Sequence, residues 1–376
     1  MDSCDVLIVG GGPAGSSCAW ELHRAGLDTI ILDKSTFPRN KTCGGWITPA
    51  VLDDLEIDRN DYAATSVFQP ITGFRTSVMG EQEVETQYGE PISYGIRRFE
   101  FDDYLLKRSG ARVFQGQPLA GFERFADHWV VNSHFKTRLI VGAGGHFCPV
   151  AHYLGADARK EVAVVAQEAE FEMTPDQNKA CSIQGEIPEL YFCSDMKGYG
   201  WCFRKENFLN IGLGRLDAHA LPQYVSSFLQ FLKHRRKVGV DLPISLPGHA
   251  YLLYQYNQRR VVGDGVLLVG DAAGLAYSQS GEGIRPAIES GLLAADVVIS
   301  ARGDYSERRL NTYRGLLTSQ FGKLEKDWSA AIGRRLPSRL VSSLAKLLLA
   351  NRWFSRHVIL DQWFLHRNDP ALRCST

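Results

Sequence analysis

Asp5-Val6-Leu7-Ile8-Val9-Gly10-Gly11-Gly12-Pro13-Ala14-Gly15 decides the fold. Asp5 to Val9 reads as a short buried strand. Glycines 10, 12 and 15 follow at once, and Ser16 to Ala25 reads as a helix stopped by Gly26. Thr29-Ile30-Ile31-Leu32 is a second buried strand, closed by Asp33-Lys34. Strand, GxGxxG, helix, strand and acid in this order make a dinucleotide-binding β-α-β unit. Gly10 permits the tight turn, Gly12 lets backbone N–H groups approach a pyrophosphate, and Gly15 lets helix and strand pack closely. Pro13 and Ala14 open the helix, whose N-terminus offers unpaired donors and a positive dipole end to phosphates. Asp33 stands 18 residues after Gly15. Its carboxylate can accept from both ribose hydroxyls and repels a 2′-phosphate; Lys34 beside it is a further candidate contact.

Outward from this unit the chain is ordinary. It has 376 residues, 44% apolar and 22% charged, with formal net charge zero. That length allows a large core without disulfides or metals. The balanced charge gives no pull toward nucleic acid. Eight cysteines form no CxxC pair and no zinc-type cluster, as in reduced, mostly buried thiols, and no metal site is expected. The N-terminus lacks a signal-peptide pattern, and no run reaches the ~18 apolar residues of a membrane span. A cytoplasmic protein is expected.

A second glycine-rich strand end lies far downstream, Gly265-Val266-Leu267-Leu268-Val269-Gly270-Asp271-Ala272-Ala273-Gly274. Gly281-Glu282-Gly283-Ile284 follows, then a helix expected over Arg285 to Ala301. Here the sequence resembles the flavoprotein superfamily that includes para-hydroxybenzoate hydroxylase. The resemblance implies FAD, with Asp271 on the ribityl chain. It also implies that the helix N-terminus at Gly281, Gly283 and Ile284 meets the pyrimidine end of the flavin. A helix N-terminus suits the negative charge of a reduced flavin. Arg98-Phe99-Glu100-Phe101-Asp102 matches the superfamily pattern R-x-x-F-D, which implies that Arg98 reaches the flavin side; Arg97 is its rival.

Lys41-Thr42-Cys43-Gly44-Gly45-Trp46, approached through Asp33 to Asn40, resembles the K-x-C-G-G segment of the geranylgeranyl reductase family. The resemblance places Cys43 and Gly44 beside the flavin ring, with Cys43 as a proton donor or a shaper of the pocket. Tyr199, Trp201 and Phe203 keep the aromatics of the family pattern P-x-x-Y-x-W-x-F-P, with Met196 and Arg204 replacing its prolines. Alternation puts the three rings on one face of a strand. The resemblance implies that this face lines a cavity for an apolar substrate, with Tyr199 and Trp201 as active-site candidates; the other reading is that the three rings fill a sheet core. Relatives often end a central strand with G-A-D-G. This chain has Gly142-Ala143-Gly144-Gly145-His146, without the acid that hydroxylases use toward FAD and the nicotinamide donor.

The fold expected is α/β: a Rossmann-type FAD-binding domain, an interleaved β-sheet substrate domain and a helical C-terminal region. Segments 1–68, 95–160 and 259–301 would build the FAD domain. Segment 69–94 is a β insertion of the substrate domain, 161–258 is that domain itself, and 302–376 is the helical region. Strands are expected at Val162–Glu172, Cys181–Ile187, Leu190–Cys193, Gly200–Phe203 and Phe208–Gly212, with an amphipathic helix over Leu221–His234. From Asp327 to Thr376 eight Lys and Arg face three Asp and Glu, mixed with Leu347-Leu348-Leu349, Trp353-Phe354 and Trp363-Phe364. This is either a cap on the substrate domain or a peripheral contact with the inner face of the membrane.

The function implied is FAD-dependent reduction of carbon–carbon double bonds in an apolar, isoprenoid-type small molecule or lipid, by hydride transfer from flavin N5. The electron donor stays open among NADPH, NADH and ferredoxin, the last implying an electron-donor protein as partner. The alternative is an FAD-dependent monooxygenase, or a halogenase, acting through a flavin hydroperoxide. The halogenase pattern W-x-W-x-I-P is not matched by Tyr199, Phe203 and Arg204. A further alternative is a non-catalytic FAD-binding protein.

Overall fold

Val6, Leu7 and Ile8 are fully buried, and their strand, Asp2–Val9, lies between two parallel neighbours, Phe135–Gly142 and Thr29–Leu32. The computed structural model describes residues 1–239, 242, 245–322, 338–369 and 371–372. The chain divides into two compact units.

The first unit comprises Met1–Asn40, Phe99–Ala163 and the described part of Tyr251–Lys326. Its sheet runs Val262–Gly263, Val266–Leu268, Phe135–Gly142, Asp2–Val9, Thr29–Leu32, Arg112–Phe114. Phe122–Arg124 and Trp129–Val131 add an antiparallel ribbon. Strand order reverses beside Asp2–Val9, so a crevice is left at the carboxyl end of that strand, where α/β sheets bind ligands. The helix Pro13–Arg24 starts there, a turn earlier than expected. Proline at its first position supplies the right φ and has no N–H to leave unpaired. The second long helix, Ile284–Ala301, packs on the first through Gly291, where any side chain would strike the Ala14 carbonyl. Glu307–Leu310 and Thr312–Phe321 complete the unit.

The second unit comprises Lys41–Arg98, Val164–Ala250 and the described part of Asp327–Thr376. Along the chain the first unit gives way to the second between Asn40 and Lys41. A seven-stranded sheet runs Gly248–Leu252, Ala163–Glu172, Phe208–Arg215, Gly198–Lys205, Glu189–Phe192, Gly73–Val78, Val84–Gln87. One face is closed by the helix Leu221–His234, whose Phe228 lies against Gly200. Val225, Phe228 and Leu232 bury there with Tyr191, Cys202 and Leu213. The expected insertion is split: Phe68–Ile71 and Ser93–Ile96 pair with each other and with Trp46–Ile47, while Gly73–Val78 and Val84–Gln87 extend the large sheet.

The strand expected at Cys181–Ile187 is not formed. Thr174 and Gln177 cap each other's backbone N–H groups around Pro175, which starts a helix over Pro175–Ala180. Beyond that helix the backbone bonds to separate partners, Ser182 N–H to Lys237 O and Glu186 O from Thr72 and Gly73 N–H, so no ladder forms. Only an isolated bridge, Gln184 to Ile187, remains of the strand. The C-terminal region is helical over Ser338–Ala350 and Arg352–Phe354, and Ser355–Phe364 is a π-helical stretch. Arg334, Arg335 and Arg373, part of the basic excess, lie outside the described residues.

Candidate functional site

In the first unit the glycine loop is built by the strand ends around it. Gly10 N–H donates to Leu32 O at 2.8 Å, and Gly11 N–H donates to Asp33 Oδ2 at 2.7 Å. Asp33 Oδ1 accepts from Ser35 N–H at 2.8 Å. The carboxylate thus ties the second strand to the loop. Each of its oxygens still has a lone pair for a hydroxyl. Lys34 is exposed at the same strand end. At Gly15 a Cβ would strike the Gly10 carbonyl, so only glycine permits this approach of helix to turn. Gly12 is the helix N-cap and provides no side chain to the first-turn N–H groups.

The neighbour of Gly12 is a residue that the motif reading did not single out. Arg39 Nη2 stands 3.4 Å from where a Gly12 Cβ would be, and 3.2 Å from Asp102 Oδ2. Its guanidinium lies over the Phe37 ring, 4.7 Å from the centroid. Arg39 Nη1 is buried without a hydrogen-bond partner among the described residues. An orphaned cationic donor over an open glycine N-cap is what a pyrophosphate would satisfy. This is the observation by which the loop fits FAD. The approach sequence Phe37-Pro38-Arg39 was the available signal.

The two glycine motifs, some 250 residues apart in sequence, meet. A Cβ on Gly270, which has φ +59°, would lie 2.9 Å from the Ala14 Cβ. Gly270 N–H donates to Ser290 Oγ at 2.9 Å, fixing the turn Gly270–Ala272 on the long helix. Asp271 Oδ1 lies 3.3 Å from a Cβ position on Gly283, the N-cap of Ile284–Ala301. Gly281 is held by its N–H to Tyr277 O at 2.8 Å. Glu282 Oε1 accepts from Arg285 N–H at 2.8 Å, so a carboxylate takes one donor of this helix end. Gly10, Gly12, Pro13, Ala14, Gly15, Asp33, Gly270, Asp271, Gly281, Gly283 and Ile284 therefore share the first unit. His146 is buried there beside the Arg259–Glu161 ion pair.

In the second unit Cys43, Gly44, Tyr199 and Trp201 come together. A Cβ on Gly44 would meet Phe203 at 3.2 Å and Trp201 Nε1 at 3.5 Å. Tyr199, Trp201, Phe203 and Lys205 share one face of their strand by alternation. Trp46 stacks on Phe203 with centroids 5.2 Å apart, and Phe364 meets Tyr199 edge-on at 5.3 Å. The aromatic wall is thus partly closed by the C-terminal region. Arg98 is buried at the start of the helix Arg98–Arg108, while Arg97 binds Glu170 Oε1 at 3.2 Å and covers the Phe208 ring.

A polar network lies on the same face of this sheet. Register puts Glu168, Gly212 and Trp201 in one row and Glu170, Asn210 and Phe203 in the next. Trp201 Nε1–H donates to Asn210 Oδ1 at 2.7 Å. Asn210 Nδ2 donates to Cys43 O at 3.0 Å, Glu168 Oε1 at 2.8 Å and Glu170 Oε2 at 3.2 Å. Cys43 N–H donates to Glu168 Oε2 at 3.2 Å, and Gly45 N–H points to Cys43 Sγ at 3.4 Å. Lys205 Nζ, almost fully buried, donates to Ile96 O and Glu170 Oε2, each at 2.7 Å. Burial, then the charge of Glu170, pushes the Glu168 carboxyl up to about 7. Glu170 sits below the usual range: burial acts to raise it, but the Lys205 ammonium, the Asn210 amide and Arg97 together outweigh that. Sequence motifs pointed to none of Glu168, Glu170, Lys205 or Asn210. The signal that could have found them is a lysine and an asparagine inside two otherwise apolar strands.

Three kinds of relative share this chain's sequence or fold. The pattern of the FAD binding domain family matches residues 3–316. A digeranylgeranylglycerophospholipid reductase of Methanocaldococcus jannaschii is 28% identical over 334 residues, 83% of this chain and 81% of that protein. A menaquinone reductase of Mycobacterium tuberculosis is 30% identical over 322 residues, 80% and 77% of the two chains. Among solved structures, a geranylgeranyl bacteriochlorophyll reductase-like protein of Thermoplasma acidophilum aligns with TM-score 0.76 at 23% identity, covering 98% of each chain. A flavin-dependent halogenase aligns with TM-score 0.66 at 19% identity, covering 92% of this chain and 70% of its own.

Proposed function

The chain belongs to the FAD binding domain family, as a flavin-dependent oxidoreductase of the geranylgeranyl reductase kind, and from that premise we propose that it reduces carbon–carbon double bonds of an isoprenoid chain. The observation that carries the reading is the second-unit cluster: the cysteine segment packed against aromatic Trp201 and Phe203, with a buried polar network beside it. Bound FAD supplies hydride chemistry. The rest falls to the chain's own residues. Gly10, Gly12, Pro13, Ala14 and Gly15 bring the helix N-terminus to the pyrophosphate, and Arg39 adds a fixed cation. Asp33 would take the ribose hydroxyls and Asp271 ribityl hydroxyls, while Gly283 and Ile284 would present N–H groups to the pyrimidine edge and Gly281, its own N–H bonded to Tyr277 O, would shape the turn beside it. Lys34 stands exposed at the same strand end as Asp33, and Arg98 keeps the flavin-side role that the superfamily resemblance implies for it.

Tyr199 and Trp201 form an apolar wall that excludes water from the reacting alkene. Cys43 Sγ holds the proton delivered to the neighbouring carbon. A thiol can serve as such an acid near neutral pH. The test is the product. With a chemical reductant and a geranylgeranyl lipid in air, mass spectrometry should show pairs of hydrogens added at the alkenes. A product carrying a new oxygen or halogen atom overturns the reading in favour of a monooxygenase or halogenase.

The C-terminal helical region supports a second element of the reading, contact with an anionic lipid surface. Leu344, Leu347 and Trp353 are 53%, 72% and 65% exposed, near Lys346 and Arg352. Apolar side chains with basic neighbours suit a headgroup layer. Among the described residues no helix is long and apolar enough to cross a membrane.

A further inference from the structure

Glu168 is 4% exposed and sits mid-strand in Ala163–Glu172, where a carboxylate needs a reason to be. Its two oxygens accept from two different donors, Cys43 N–H at 3.2 Å and Asn210 Nδ2 at 2.8 Å. Asn210 also donates to Cys43 O, so the peptide groups around Cys43 are gripped from both sides by one acid and one amide. Gly212 makes this arrangement possible. A Cβ there would lie 2.8 Å from the Glu168 Cβ and inside the Trp201 ring system, so only glycine lets acid and indole share the row.

We propose that Glu168 is a positioning residue for Cys43, whose ionised carboxylate holds the Cys43–Gly45 segment in place and whose protonation loosens it. The proposal rests on Cys43 being the active-site cysteine of the reading above. An ionised carboxylate is an acceptor only and can take both N–H groups; a neutral carboxyl must turn one oxygen into a donor. That hydroxyl would then face the Cys43 N–H or the Asn210 amide, both donors themselves. Asn210 is anchored by Glu170 as well, so the Cys43 side gives way.

Among the described residues the charged and titratable neighbours are few. Glu170 lies two residues along the same strand and is neutralised by Lys205 and Arg97. The Cys43 thiol belongs to the held segment. On the adjoining strand Gly248–Leu252, His249 is bonded to Lys41, with Nζ 2.7 Å from Nε2. Burial and the Glu170 charge place the Glu168 transition at about 7, with Lys205 pulling the other way. The switch therefore falls in the neutral range.

The test is amide hydrogen exchange of the FAD-bound full chain, corrected for the intrinsic pH dependence of exchange. Protection of the peptide spanning Cys43–Gly45 should fall about tenfold from pH 8 to pH 6, following the ionised fraction of a group near 7. E168Q should show no such step, because a glutamine does not titrate. E170Q should move the step to lower pH, since a like charge is lost. A flat native profile, an equal step in E168Q or an unmoved step in E170Q overturns the proposal; if a variant fails to fold, the native profile alone decides. Expected protection in a protein that reduces no alkene would keep Glu168 and remove the reductase reading. A flat profile in an active reductase would do the reverse.

Discussion

Glu168 and Glu170 stand two residues apart on one strand face and titrate in opposite directions. Glu170 has Lys205 and Arg97 in contact, so its charge survives burial. Among the described residues Glu168 has N–H donors but no directly bonded cation, and burial beside Glu170 raises it to about 7. The folded state therefore holds a proton that the unfolded chain releases near pH 4.5. Stability falls as pH rises from about 4.5 to about 7, by roughly 3 kcal/mol if the full shift is expressed. E168Q abolishes this titration. In urea unfolding at a series of pH values, native stability relative to E168Q should drop by about that amount across the window. A difference that stays constant from pH 4.5 to 7.5 would show that the carboxyl is not raised. These residues were illegible in the sequence because Glu168, Glu170 and Glu172 alternate like the solvent face of a strand. What hides them from water is Lys205 and Asn210 on neighbouring strands, a pairing set by register that no local pattern reveals.

At the scale of elements, the β-α-β unit was legible because each of its steps is local: an apolar run, a glycine turn, a capped helix and an acid. The helix Leu221–His234 was read at its true limits for the same reason. The strand expected at Cys181–Ile187 failed because its backbone bonds go to separate partners, Ser182 N–H to Lys237 O and Glu186 O from Thr72 and Gly73 N–H, which no short apolar stretch reveals. The split of the 69–94 insertion between two sheets depends on partners distant in sequence. In the large sheet, the row Glu168, Gly212, Trp201 makes a definite demand. Gly212→Ala puts a methyl group against both flanking side chains, and neither can leave without breaking a bond to Asn210 or Cys43. Overpacking of this kind costs about 1–3 kcal/mol. The midpoint of urea unfolding should fall accordingly, and tryptophan fluorescence should report a displaced Trp201. An unchanged midpoint would mean that the row has slack which the packing does not show.

Across the whole molecule, the first unit carries the residues that fit the cofactor and the second carries the cysteine and the aromatic wall. The motifs pointed to both sets of residues, but not to Arg39, whose unpaired Nη1 appears only when Gly12 and Asp102 are seen beside it. The exposed leucines of the C-terminal helix give the molecule a candidate lipid-facing surface. Replacing Leu344 and Leu347 together by glutamate should abolish flotation with vesicles rich in anionic lipid while leaving FAD binding intact; equal flotation of the double variant would remove that surface from the account. We propose that bound FAD passes reducing equivalents to an isoprenoid alkene and that Cys43 takes part. The most direct test is to reduce the FAD-bound protein without oxygen, mix it with a geranylgeranyl compound and follow the flavin absorbance. The oxidised spectrum should return at a rate set by substrate concentration, and Cys43→Ala should bind FAD normally but slow this return by roughly a hundredfold. Reduced flavin that persists with every polyprenyl compound and reoxidises only when oxygen is admitted would contradict it.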